Sequence, residues 1–119
     1  MGIGYHGDDG GIFHASNAPI EIGEVYTSGD VVGCFFCRTQ KNDDQINLVQ
    51  FTKNGERVLL PRIIANQEWY PTIGISSPGA IVDTYFDPNQ FLYNDKGISV
   101  ISSLSLAYKK ININIILKC

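Results

Sequence analysis

The chain has 119 residues, room for at most one domain that buries roughly two-thirds of the surface its unfolded form exposes. A hydrophobic fraction of 44% with 18% charged residues is globular rather than disordered, and no apolar run approaches the roughly 20 residues of a membrane span. The net charge is −3 and the nine Lys and Arg are scattered, only Lys109 and Lys110 being adjacent, which argues against a nucleic-acid-binding face.

In chain order, residues 3–6 read as the end of a strand. Residues 7–11, Gly-Asp-Asp-Gly-Gly, form a turn-rich loop whose glycines take unusual φ and whose aspartates bond their own backbone. Residues 12–14 resume extended structure. Residues 16–24 contain Asn17, Pro19 and Gly23 and are expected to be irregular, and residues 25–27 read as a short strand before the turn at 28–30. Residues 31–39 form the most apolar strand, with Val31, Phe35 and Cys37 on one face and Val32, Cys34 and Phe36 on the other, as in a strand covered on both sides. Residues 40–45 are polar and expected to be a loop.

The clearest local signal is Asn54-Gly55, because a type I′ turn needs positive φ at both central residues. With these two as the loop, Lys53 faces Glu56, Phe51 faces Val58 and Val49 faces Leu60, so that four apolar side chains share one face. Such a hairpin is marginal alone and must lay that face on a second sheet. Residues 62–68 fit either a helical turn or a loop. Residues 69–75 read as a strand with Pro71 near its start, 76–79 as a turn, and 80–86 as a strand. Short strands between turns every 8–12 residues or so indicate an all-β fold, an antiparallel two-sheet β-sandwich.

Several stretches carry a resemblance. Residues 4–10 (GYHGDDG), 29–34 (GDVVGC), 51–55 (FTKNG), 70–74 (YPTIG) and 78–83 (PGAIVD) are similar, in the same order, to the signature stretches of SPRY domains such as those of the Ran-binding-protein group and SPRY domain-containing protein 3. The resemblance covers about residues 2–92. It implies a sandwich without catalytic activity that binds a short peptide segment of a protein partner in a loop-lined pocket. The matching loops imply Tyr5, His6, Asp8 and Asp9 on one side of that pocket and Ser76, Ser77, Pro78 and Gly79 on the other. SPRY domains begin well before the equivalent of Gly2, so residues 1–95 resemble a SPRY domain incomplete at the N-terminus, and the alternative function is that of a truncated, non-functional fragment. The likeness stops near Asn94. Residues 96–119, rich in Ile, Ser, Leu, Asn and Lys, read either as a divergent tail or as an extra pair of strands.

The remaining chemistry is sparse. Cys34 and Cys37 have redox spacing, but on one strand they point to opposite faces with Cα atoms about 10 Å apart, too far for a disulfide. A zinc site needs four ligands, and no second Cys or His pair stands at matching spacing. His6, Asp8, Asp9 and His14 are the one set able to ligate a metal, and YHGDDG occurs in the resembling family without catalysis. No nucleophile elbow, P-loop or Rossmann fingerprint is present. The expectation is therefore a non-enzyme with no cofactor and no metal, a peptide-binding monomer that engages neither nucleic acid nor membrane. Three cysteines, no Asn-x-Ser/Thr sequon and no secretory signal fit a cytoplasmic home.

Overall fold

The computed structural model describes residues 2–76, 78–85, 100–108 and 113–118. Its strands are β1 (Gly2–His6), β2 (Gly11–His14), β3 (Glu21–Ile22), β4 (Asp30–Lys41), β5 (Asp44–Lys53), β6 (Glu56–Arg57), β7 (Arg62–Ile64), β8 (Tyr70–Ile75), β9 (Asp83–Tyr85), β10 (Val100–Tyr108) and β11 (Ile113–Lys118). One sheet runs β3-β2-β1-β11-β8 and the other β6-β5-β4-β10-β9, with β7 also on β5; the pairings are antiparallel. The architecture is the all-β two-sheet sandwich that alternation and turn spacing predict.

The core lies where the period-two pattern puts it. Ile3, Tyr5 and Ile12 from the first sheet meet Val32, Cys34, Phe36, Val49, Phe51 and Ile64 from the second, with Tyr26 between them. Burying each large apolar side chain here contributes about 1.5–3 kcal/mol, which is why strands marginal alone persist once the sheets stack. Phe35, on the opposite face of β4 from Phe36, is also buried, as expected of a strand covered on both sides.

Two tight turns set the second sheet. Asn54 and Gly55 have φ of 51° and 84°, the type I′ signature, and Lys53 pairs with Glu56. The expected register holds through Phe51, whose carbonyl accepts the Val58 N–H at 3.1 Å. It then breaks: Val49 faces Arg62 rather than Leu60, and Leu60 is 84% exposed. Pro61 has no N–H for the ladder, so the chain bulges, and the Gln50 side-chain amide donates at 2.7 Å to the Leu59 carbonyl freed by the bulge. A two-residue insertion preserves parity, so Ile64 still faces the core.

Residues 40–45 are not a loop. β4 and β5 pair as far as Lys41 and Asp44, and Asn42 and Asp43, with φ of 52° and 68°, make a second two-residue turn. Asn and Asp are the side chains that tolerate this region after Gly, so the signal was present without a glycine to mark it. Residues 25–27 are not a strand either, although the Tyr26 ring enters the core. Of residues 62–68, the first three form β7; of residues 80–86, residues 83–85 form β9 and Phe86 lies outside the described residues.

β10 and β11 go one to each sheet. β10 lies between β4 and β9, and β11 between β1 and β8. Among the described residues of 96–119, those at 100–108 and 113–118 are strands, and they join different sheets rather than each other.

Candidate functional site

β1 and β8 flank β11 and run in the same direction. His6 pairs with Asn114, and Asn114 pairs with Gly74, so the three lie in one row across the sheet. The chain leaves β1 into residues 7–10 and leaves β8 into residues 76–79 at the same end of the same sheet. Two strand spacings separate these exits, about 10 Å. Both loops named from the sequence are therefore neighbours, divided by one strand.

The 7–10 loop is firmly held. The Gly10 N–H donates to the His6 carbonyl at 3.1 Å, and Gly10 has φ of 70°. Asp9 accepts the Gly11 N–H at 2.7 Å, and Asp8 accepts the Asp9 N–H at 3.0 Å, each aspartate closing its own turn. Residues 23–26 strap across this loop: the Gly23 N–H donates to the Gly10 carbonyl at 2.8 Å and the Tyr26 N–H to the Gly7 carbonyl at 3.1 Å. The approach is so close that a Cβ on Gly7 would come 2.8 Å from the Tyr26 ring, and one on Gly10 would overlap the Gly23 carbonyl oxygen.

Tyr5 is the exception among the proposed contact residues. It is 0% exposed, with its ring edge-on to Tyr26 at 4.8 Å and tilted against Phe51 at 5.6 Å. Its hydroxyl donates to the Glu24 carbonyl, and its own carbonyl accepts the Tyr26 hydroxyl at 2.9 Å. Burial first, then the charges of Glu24 and Asp30, push its ionisation well above the ordinary tyrosine value. Tyr5 thus has no surface to offer a ligand; it is the foundation on which strap and loop sit. Tyr5, expected at the rim, is buried instead because inward parity on β1 includes it with Ile3, and its hydroxyl finds the Glu24 carbonyl.

His6, Asp8 and Asp9 do reach the surface. His6 is half-buried and stacks on Phe13 at 4.1 Å, while both aspartates are exposed. One ligating atom from each of the three lies within 4.8 Å of the others, an acidic corner with the donor types of a divalent-cation site. His14 is not part of it. It pairs opposite Ile3, three residues or about 10 Å along β1 from His6. On the other loop, Ser76, Pro78 and Gly79 are exposed, and Ser77 lies outside the described residues. Gly79 has φ of 76° with no neighbouring atom within 4 Å of a would-be Cβ.

Sequence reasoning missed the strap. Residues 16–24 looked merely irregular, and the only hints were Gly23, which a close backbone approach requires, and Tyr26, too apolar for a free loop. Cys34 is a buried thiol whose ionisation is pushed far up by burial, which keeps it protonated and unreactive at neutral pH. Cys37 contributes a backbone position on β4, opposite Leu48. No helix among the described residues is long and apolar enough to cross a membrane.

The chain is 36% identical over 91 residues to human Ran-binding protein 9, a match covering 76% of this chain and 12% of that protein. It is 37% identical over 91 residues to zebrafish Ran-binding protein 10, covering 76% of this chain and 14% of that protein. It is 34% identical over 87 residues to the dual specificity protein kinase splA of Dictyostelium discoideum, covering 71% of this chain and 3% of that protein. The chain thus spans a small part of each curated relative. No family model and no solved structure matches it.

Proposed function

The chain belongs to the SPRY-like domains related to Ran-binding proteins 9 and 10, and from that premise we propose that it is a non-catalytic module that binds a short extended peptide of a partner protein at one end of the sandwich. A single observation supports this most: the row His6–Asn114–Gly74 puts the 7–10 and 76–79 loops about 10 Å apart at one sheet end, a span that a few extended residues bridge. Loops on a rigid scaffold are where such folds carry recognition. The contact residues in this reading are His6, Asp8 and Asp9 on one side and Ser76, Ser77, Pro78 and Gly79 on the other. Related stretches within proteins as differently named as a Ran-binding protein and a kinase fit a portable module with no chemistry of its own. The exposed carboxylates of Asp8 and Asp9 favour a ligand with Lys or Arg beside its anchor, through steering more than through affinity. In this reading the chain acts inside the cell as a monomer, without nucleic acid, membrane, metal or cofactor.

The test begins with a peptide selected from a display library against the chain, its affinity measured by calorimetry. Asp8→Ala and Pro78→Ala should each weaken binding several-fold. Asp44→Ala removes the same charge as Asp8→Ala at the far end of β5 and should change little. Equal losses in all three variants would place recognition elsewhere.

A further inference from the structure

The turn between β5 and β6 carries chemistry that peptide recognition does not use. Asn54-Gly55 is the one Asn-Gly pair in the chain. Because Gly has no side chain, its backbone nitrogen approaches the preceding asparagine side chain with little hindrance, the arrangement in which an asparagine amide is most easily lost. Asn54 is exposed, so water has access to it.

In the fold, that amide is engaged on both sides. Asn54 Oδ1 accepts the Val31 N–H at 2.8 Å, and Nδ2 donates to Asp30 Oδ1 at 2.9 Å. The Asn54 backbone N–H also donates to the Val31 carbonyl at 2.7 Å. The other Asp30 oxygen accepts the Thr27 N–H at 2.8 Å, so the clamp is anchored in the preceding turn. Three hydrogen bonds therefore hold Asn54 against the start of β4, and one of them ends on a carboxylate.

We propose that Asn54 is a site of spontaneous, backbone-assisted deamidation that the Asp30–Val31 clamp holds in check, so that opening of the clamp sets its rate. In the reaction, the Gly55 nitrogen loses its proton and bonds to Asn54 Cγ. The Cγ–Nδ2 bond breaks and ammonia leaves with a proton, giving a cyclic imide. One water then opens the ring at either carbonyl to yield aspartate or isoaspartate. Neither product keeps the donor that faced Asp30, so a hydrogen-bonded pair becomes two carboxylates. Isoaspartate also lengthens the backbone inside a turn that depends on paired positive φ. The change falls next to Lys53, whose ammonium is 3.4 Å from Glu24 on the strap, and adds negative charge there. This inference does not depend on peptide binding.

The experiment incubates the whole chain at mildly alkaline pH and follows conversion at Asn54 by peptide mass spectrometry. Four samples are compared: native chain, chain in denaturant, Asp30→Ala and Asp30→Asn. Conversion should be at least about tenfold slower in the native chain than in denaturant, the factor expected when a hydrogen bond to a charged group must open first. Asp30→Ala should move the rate most of the way to the denatured value. Asp30→Asn keeps an acceptor oxygen and should stay within about threefold of the native chain. Equal rates in native and denatured chain, or an Asp30→Ala rate equal to the native one, would overturn the proposal. Should Asp30→Ala fail to fold, the native-to-denatured ratio and the Asp30→Asn rate still decide it.

Discussion

The two loops at the proposed binding end are built in opposite ways. Residues 7–10 are crossed by a strap, closed by two aspartates and backed by a buried tyrosine, and two of their glycines are glycine because another backbone or ring occupies the space. Residues 78 and 79 are exposed, and Gly79 needs its positive φ but has open space around it. One side of the rim is preorganised by packing, and on the other the backbone at Gly79 is set by turn geometry with open space around it. The same residue type, glycine at positive φ, should therefore tolerate substitution very differently on the two sides.

The largest test attacks the foundation of the held loop. Tyr5→Ala should lower stability by about 3–5 kcal/mol, the cost of emptying an aromatic site in a packed core. A denaturant midpoint near that of the unmodified chain would mean that Tyr5 does not support the loop. Next is the glycine pair. Gly10→Ala combines positive φ with overlap on a backbone carbonyl and should cost about 3 kcal/mol. Gly79→Ala carries only the conformational penalty, about 1 kcal/mol. Equal midpoints for the two alanine variants would erase the contrast between the loops. Outside both loops, Gly55→Val forces a β-branched residue to a φ of 84° and should cost about 2 kcal/mol, a reference for backbone strain in a turn away from the proposed rim.

The smallest effect is on pH. Burial raises the Asp30 carboxyl, but the hydrogen bonds from Asn54 and the Thr27 backbone, with the charge of Lys53, outweigh it and leave the group below its ordinary value. A carboxyl lowered on folding contributes stability above its unfolded value and loses it as pH falls through its folded value. Asp30→Asn should therefore be less stable than the unmodified chain at neutral pH, with the gap shrinking below about pH 4. A gap independent of pH would show that the charge of Asp30 is not what steadies the turn beside the strap.

Much of this fold is legible locally. Alternation in residues 47–51 marks an inward face because side chains on a strand must alternate, apolar residues on both parities of 31–39 mark a strand covered on both sides, and Asn54-Gly55 marks its turn because few pairs accept two positive φ values so readily. The loops at 7–10 and 76–79 announced themselves by the same turn chemistry. The Asn42-Asp43 turn was written in the same language more faintly, with residues that tolerate the left-handed region rather than require it.

Other features depend on partners distant in the chain. Parity puts Tyr5 on the same face of β1 as Ile3, but what covers that face is Tyr26, Phe51 and the Glu24 carbonyl, which lie 19 or more residues away. The register of β7 turned on Gln50 reaching the Leu59 carbonyl past Pro61. Residues 103–106 (SLSL) and 113–115 (INI) do alternate, but alternation names no neighbour, and only pairing with β4 and β1, laid down some 70 to 110 residues earlier, makes them inner strands. The sequence by itself determined which segments could be strands and where the chain must turn, because those choices depend on φ, ψ and the next few side chains. Which strands are neighbours, which face of Tyr5 is covered, and which two loops share one end were decided by the tertiary structure, because each is a contact between residues that meet only when the sheets close.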